Sequence, residues 1–307
     1  MTATLIALDW GTSSLRAWCL DARGQVLDQR ESPEGIMHVK DGFAAAFQRI
    51  IGPWRADHPD LPALACGMIG SAQGWKEAPY LSCPAGPEEL AGAMVALPEH
   101  GLHIVPGVSQ RHPADVMRGE ETQIAGALAL HPTLRPGAHL VMPGTHSKWV
   151  TIRDGRIQGF TTFMTGELFA VLKEHSILGR LAKTPGEDDA AFAQGLDAAR
   201  EGDLPSRLFS ARSGVLLGDR PASSSLDYLS GLIIGAEIAS AQGLLQPKDT
   251  PVLIGAPALV GRYRQALAAF GLPDARTIEH TAIAGLWQIA RAARLIEGDA
   301  HDAVHLA

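Results

Sequence analysis

The chain has 307 residues, 46% hydrophobic and 19% charged, with a formal charge of −7. That length exceeds what one hydrophobic core usually fills and suits two lobes. The acidic balance argues against a nucleic-acid partner, which calls for a basic face, and no uncharged apolar run approaches the ~20 residues of a membrane span.

The chain opens on an apolar run at 5–8, and because residues 1–4 lead straight into it, no signal peptide is expected. Asp9-Trp10-Gly11-Thr12-Ser13-Ser14 follows as a glycine- and hydroxyl-rich corner. Residues 15–20 and 26–31 read as the second and third strands of a meander, joined by the turn chemistry of Asp21-Ala22-Arg23-Gly24. Helical spacing marks 43–54, and two acids after a proline open a helix at 88–94. Between these lies a third glycine-rich corner, Ala65 to Lys76, ending in Trp75 and a cation. A helix is expected at 120–130, opened by Glu120 and Glu121 after Gly119.

The pattern breaks at 132–137, which predicts a division into an N-terminal lobe, 1–133, and a C-terminal lobe, 134–307. The meander then returns. Residues 139–142 read as a strand, Pro143-Gly144-Thr145-His146-Ser147 as a second corner, and 149–152 and 157–163 as strands about the Asp154-Gly155 turn. Two strand–Gly-Thr–strand–turn–strand units half a chain apart predict an internal duplication. Helices are expected at 226–245, 258–270 and 281–296, with exposed loops at 185–189 and 219–225. Three cysteines in no metal or disulfide spacing fit thiols in a reducing cytoplasm.

The corners carry the chemistry. Gly11 lets a backbone approach a phosphate, Thr12 and Ser13 can donate to phosphate oxygens, and Asp9 at the strand end is placed to hold Mg²⁺ through water. There is no P-loop and no GxGxxG run, so Gly144, Thr145, His146 and Ser147 form the natural second phosphate clamp. Gly255-Ala256, between a strand and a helix, suits a nucleoside. Gly70, Ser71, Trp75 and Lys76 suit a sugar: small residues for approach, a hydroxyl, an aromatic face and a cation. Glu120 and Glu121 read either as acids serving the helix dipole or as the source of a general base. Arg118 beside them offers a guanidinium fork for a substrate carboxylate. Thr165, ahead of Gly166 and Glu167, reads as a helix cap.

Together these blocks resemble the 2-dehydro-3-deoxygalactonokinase family of the actin/hexokinase/Hsp70-like superfamily. The resemblance rests on Ala7-Leu8-Asp9-Trp10-Gly11-Thr12-Ser13, on Gly67-Met68-Ile69-Gly70-Ser71 with Gly74-Trp75-Lys76 and Ala78-Pro79-Tyr80-Leu81, and on Val116 to Gln123. It continues in Met142 to Val150, Met164-Thr165-Gly166-Glu167-Leu168, and Ser230 to Glu237. It implies a two-lobed α/β, ribonuclease H-like fold with an ATP cleft between lobes, and a last helix, 281–297, packing back to the hinge. It implies ATP-dependent, Mg²⁺-assisted phosphorylation of 2-dehydro-3-deoxy-D-galactonate to its 6-phosphate in the cytoplasm, in galactonate catabolism. The expected partner is that small sugar acid, with neither nucleic acid nor membrane, and a homodimer is allowed for. By the resemblance Asp9 to Ser13 would be the first phosphate motif, Gly144 to Ser147 the second, and Gly255-Ala256 the adenosine motif. Pro143 stands where the superfamily commonly has an acid, which leaves Asp9 as the metal candidate. The competing readings are a kinase of the gluconate epimer and a phosphatase on the same fold.

Overall fold

The computed structural model describes residues 2–182, 187–246 and 249–296. In chain order the first part runs β1 (Ala3–Trp10), β2 (Leu15–Asp21), β3 (Val26–Ser32), α1 (Phe43–Asp57), β4 (Ala63–Cys66), β5 (Tyr80–Ser82) and α2 (Pro87–Gly92). It continues β6 (Val95–Leu97), β7 (Leu102–Ile104), β8 (Gly107–Arg111), β9 (Ala114–Met117) and α3 (Glu120–Leu130). Then come β10 (Gly137–Met142), β11 (Ser147–Arg153), β12 (Arg156–Phe163), α4 (Thr165–His175), α5 (Asp189–Arg200), α6 (Leu204–Leu208), α7 (Ser210–Leu216) and α8 (Ser225–Ala241). The described chain closes with β13 (Val252–Ile254), α9 (Pro257–Ala269), β14 (Arg276–Ile278) and α10 (Thr281–Ala292).

The main sheets have orders β3-β2-β1-β4-β7-β6 and β12-β11-β10-β13-β14. In each, a meander's first strand also pairs in parallel with a later one: β1 with β4, and β10 with β13. The repeat of three antiparallel strands followed by two parallel ones is the duplication expected from the two corners. A third, small sheet of order β5-β8-β9 lies outside that expectation.

Among the described residues two compact units result: one of 2–137 with 151–160 and 279–296, the other of 138–150 with the described residues of 161–278. This differs from the division expected at 133, because the chain returns to the first unit twice. The second return has a clear cause. Gly126 of α3 and Gly285 of α10 face each other so closely that a Cβ on either would lie 1.8 Å from the other helix's carbonyl, of Thr281 or Thr122. Only glycine allows that crossing.

In the first unit β1 is buried along Leu5, Ile6, Ala7, Leu8 and Trp10. Helix α1 covers the sheet with Ala46, Phe47, Ile50, Ile51 and Trp54, one stripe at helical spacing. In the second unit α8 is buried on nearly every face, and it meets α5 at Gly195 and Gly231. The expected exposed loop at 219–225 is corrected in part. Ser224 and Ser225 are buried, and the Ser224 hydroxyl donates to Asp188, 2.5 Å. Of the loop expected at 185–189, residues 185–186 lie outside the described residues, as does residue 297 of the last helix.

Candidate active site

The first corner joins β1 to β2. The Gly11 N–H donates to the Ser14 carbonyl, 2.9 Å, closing a tight hairpin. Residues 35–37 back it: Ile36 and Met37 donate to the Gly11 and Thr12 carbonyls at 3.0 and 3.2 Å. A side chain at Gly35 would run into the Ser13 backbone at 2.3 Å. Thr12 and Ser13 remain exposed. Asp9, at the end of β1, faces Arg16 in register and accepts a hydrogen bond from its guanidinium.

Two more chain ends reach Asp9. β4 lies parallel to β1 and pairs Cys66 with Asp9. Gly67 then turns with φ +91, and a Cβ there would lie 2.9 Å from the Trp10 carbonyl and 3.4 Å from Asp9 Oδ1. Gly119, φ +106, precedes α3, and a Cβ on it would lie 3.4 Å from Gly67 Cα. Both glycines combine a left-handed backbone with a close approach. They bring the acids opening α3 up to the strand end that carries Asp9.

Those acids have unlike surroundings. Glu121 is 1% exposed. Its carboxyl accepts from the Gly119 N–H, 2.7 Å, and from the Thr122 hydroxyl, 3.0 Å. Burial, reinforced by the negative charge of Glu120, pushes it up to about 8. Glu120 is half-buried and accepts from the Arg118 N–H at 3.1 Å. Cys66 lies among these acids: burial, then the charges of Asp9 and Glu121, push its thiol well up. It is an inert neighbour.

Arg118 leads away from the acids. Its guanidinium donates to the Ala78 carbonyl, 2.7 Å, and lies over the Tyr80 ring. Its Nε and Nη1 are buried without an acceptor, as is Ser71 Oγ. A Cβ on Gly70 would come within 2.9 Å of Nη1. Gly70 therefore lies against the Arg118 guanidinium, and Arg118 and Ser71 keep buried polar atoms unmatched. Trp75 is different. Its ring meets Trp10, Phe43, Phe47 and His100 at centroid distances of 4.7–6.3 Å. It packs on the core cluster of the first unit, where an open sugar platform was expected. Lys76 is exposed beside it.

In the second unit the corner between β10 and β11 is gripped by α4. The Glu167 N–H donates to the Thr145 carbonyl, 3.0 Å, and a Cβ on Gly166 would strike the Gly144 carbonyl at 2.5 Å. Gly144 itself faces open space. His146, exposed, pairs with Glu167. Lys148 is buried and donates to the His146 carbonyl, 3.0 Å. Gly255, ending β13, approaches Pro143, so Gly255-Ala256 and the second corner share one sheet edge. Beside them a pocket of about 420 Å³ is lined by Gly144, Phe169, Ile233, Ala258, Leu259 and Arg262, among others.

Two expectations fail here. Thr165 is the first residue of α4, preceded by Met164 at the cap, and its hydroxyl donates to Glu237. Ser147 is fully buried and bonded to Tyr263, 2.8 Å, so its hydroxyl does not face a ligand. Glu237 was visible in the sequence only as part of the Ser230 to Glu237 block. Its signal was an acid, like Asp227 a turn and more earlier, in a helix buried on nearly every face.

Residues 9–289 match the 2-keto-3-deoxy-galactonokinase family. The chain belongs to that family. A family relative in Escherichia coli (strain K12), named 2-dehydro-3-deoxygalactonokinase, is 38% identical across 95% of this chain and 99% of its own. One from Rhizobium meliloti (strain 1021), assigned the same activity, is 43% identical across 93% and 96%. A crystal structure of a protein so assigned, from Sinorhizobium meliloti, superposes with TM-score 0.87 at 40% identity, covering 94% of this chain and 98% of the other. The fold is the actin/hexokinase-type α/β fold expected from the sequence. Among the described residues no helix is long and apolar enough to cross a membrane, and no cluster of three or more His, Cys, Asp or Glu could hold a metal ion.

Proposed function

We propose that this chain is a sugar-acid kinase of galactonate catabolism. It transfers the γ-phosphoryl group of ATP to the 6-hydroxyl of 2-dehydro-3-deoxy-D-galactonate, yielding the 6-phosphate and ADP. The observation that carries this reading is the convergence of Asp9, Gly67, Gly119 and the Glu120–Glu121 pair, in a chain 38–43% identical to relatives bearing that activity in their names. A cytoplasmic location belongs to the same reading.

Phosphoryl transfer asks for positioning and charge neutralisation more than for covalent chemistry. Thr12, Ser13 and the amides of the first corner are the donors for phosphate oxygens, and Gly144 and Thr145 act likewise in the second unit. The pocket beside Gly255-Ala256 takes the nucleoside. Asp9 would be the protein's single carboxylate toward Mg²⁺. That fits an ion that keeps waters and phosphate oxygens as its other ligands, and it would neutralise phosphate charge. Glu120 accepts the proton of the 6-hydroxyl as its oxygen attacks phosphorus. Glu121 is too enclosed for that and holds the helix start in place. A substrate carboxylate satisfies the unmatched donors of Arg118 and Ser71.

The test is a coupled ADP-release assay over 2-keto-3-deoxy acids and neutral sugars. ADP release should require the galactonate derivative, and Glu120→Gln should lower kcat at least about a hundredfold with the fold intact. Sugar-independent ATP consumption would indicate a phosphatase, and preference for the gluconate epimer would reassign the substrate.

A further inference from the structure

A carboxylate that touches no proposed ligand lies beneath the second corner. Glu237, 3% exposed, receives donors from three elements. Trp149 Nε1–H of β11 donates at 2.7 Å, the Tyr263 hydroxyl of α9 at 2.5 Å, and the Thr165 hydroxyl opening α4 also donates. An indole N–H can only donate, and a carboxylate can only accept. Because Tyr263 spends its proton on Glu237, its oxygen must accept from Ser147, 2.8 Å away. Ser147 Oγ is then left to accept from the Gly144 N–H at 3.4 Å. One charge thus sets the direction of a whole chain: Gly144 N–H to Ser147, Ser147 to Tyr263, Tyr263 to Glu237.

We infer that Glu237 is a positioning residue for the second phosphate corner. It acts through Ser147 and Tyr263 on the backbone at Gly144, and through Thr165 on the helix start that grips Thr145. This rests on reading that corner as a phosphate site. The physical motive is cost. A buried carboxylate is expensive even when paired, and an apolar side chain of similar shape commonly serves stability as well or better. Burial does raise the Glu237 carboxyl, against the hydrogen bonds from Thr165, Tyr263 and Trp149 that lower it. What an apolar replacement could not do is orient three hydroxyls. Two of the residues so held, Thr165 and Tyr263, also line the pocket beside Gly144.

Glu237→Gln tests this, because the amide presents donors where the carboxylate only accepts and so reverses part of the chain. We expect KM for ATP to rise about tenfold, with KM for the sugar acid within about twofold. Tyr263→Phe should raise KM for ATP similarly, and the double variant should be no worse than the worse single. A role in stability alone would lower the melting temperature and leave both KM values in place. Gly144→Val is the control for the underlying reading. Its side chain enters open space and obstructs the approach of a phosphate. A raised KM for ATP in Gly144→Val with an unchanged one in Glu237→Gln overturns the inference alone. Unchanged values in both overturn the phosphate-corner reading. If Glu237→Gln does not fold, Tyr263→Phe decides: a normal KM for ATP there rejects the relay.

Discussion

The guanidinium carbon of Arg118 lies 4.3 Å from the centroid of the Tyr80 ring, while Nε and Nη1 of the same side chain are buried without acceptors. Stacking and the bond to Ala78 hold the fork in one orientation, which on the proposed function would present aimed donors to the substrate carboxylate. Arg118→Lys should raise KM for the sugar acid at least about tenfold and leave KM for ATP within about twofold, because lysine neither forks nor stacks in the same way. Gly70→Ala should give the same split, since the added methyl would lie 2.9 Å from Nη1. Steady-state titration of each substrate against the other checks both variants.

Glu121 makes stability depend on pH. Its carboxyl rises from the ordinary 4.5 to about 8 in the folded chain. Between those values the native state holds a proton that the unfolded state has released. Its contribution is therefore complete below about 4.5 and is lost as pH rises through about 8. Glu121→Gln carries no such proton. From pH 5.5 to 7.5, wild type should lose stability relative to the variant, at up to about 1.4 kcal/mol per pH unit. Urea midpoints at the two pH values measure this, and parallel curves would count against it.

The crossing of α3 and α10 should tolerate no side chain at Gly285. A methyl there would lie 1.8 Å from the Thr122 carbonyl, adjoining the Glu121 helix start. Gly285→Ala should cost about 1–3 kcal/mol or more and lower kcat as α3 shifts. Thermal denaturation and turnover on one preparation would show both effects. A variant with normal melting and normal kcat would mean the helices can separate freely.

Much of the fold could be read from residue order. The two meanders with their Gly-Thr corners, the helices at 120–130 and from 281, and the small residues at Gly67, Gly119 and Gly255 are local signals: alternation, capping acids and turn glycines. The small sheet of β5, β8 and β9 was not legible, because its strands are short and β5 joins β8 only across the intervening residues 83–106. The domain boundary was misplaced because nothing local marks two returns to the first unit.

The site divides in the same way. Sequence alone determined which residue types stand at the corners, and hence the proposal that phosphate, an acid pair and a guanidinium belong to the chemistry. The tertiary structure decided which of those groups are exposed and which are buried and bonded within the protein. It turned Ser147 inward, drew Trp75 into the core, sent the Thr165 hydroxyl to Glu237, and gave Glu120 and Glu121 different surroundings. The reason is physical. Composition and spacing travel along the chain, whereas burial, and with it the charge state of a carboxyl and the direction of a hydroxyl, is set by elements distant in sequence that pack against it.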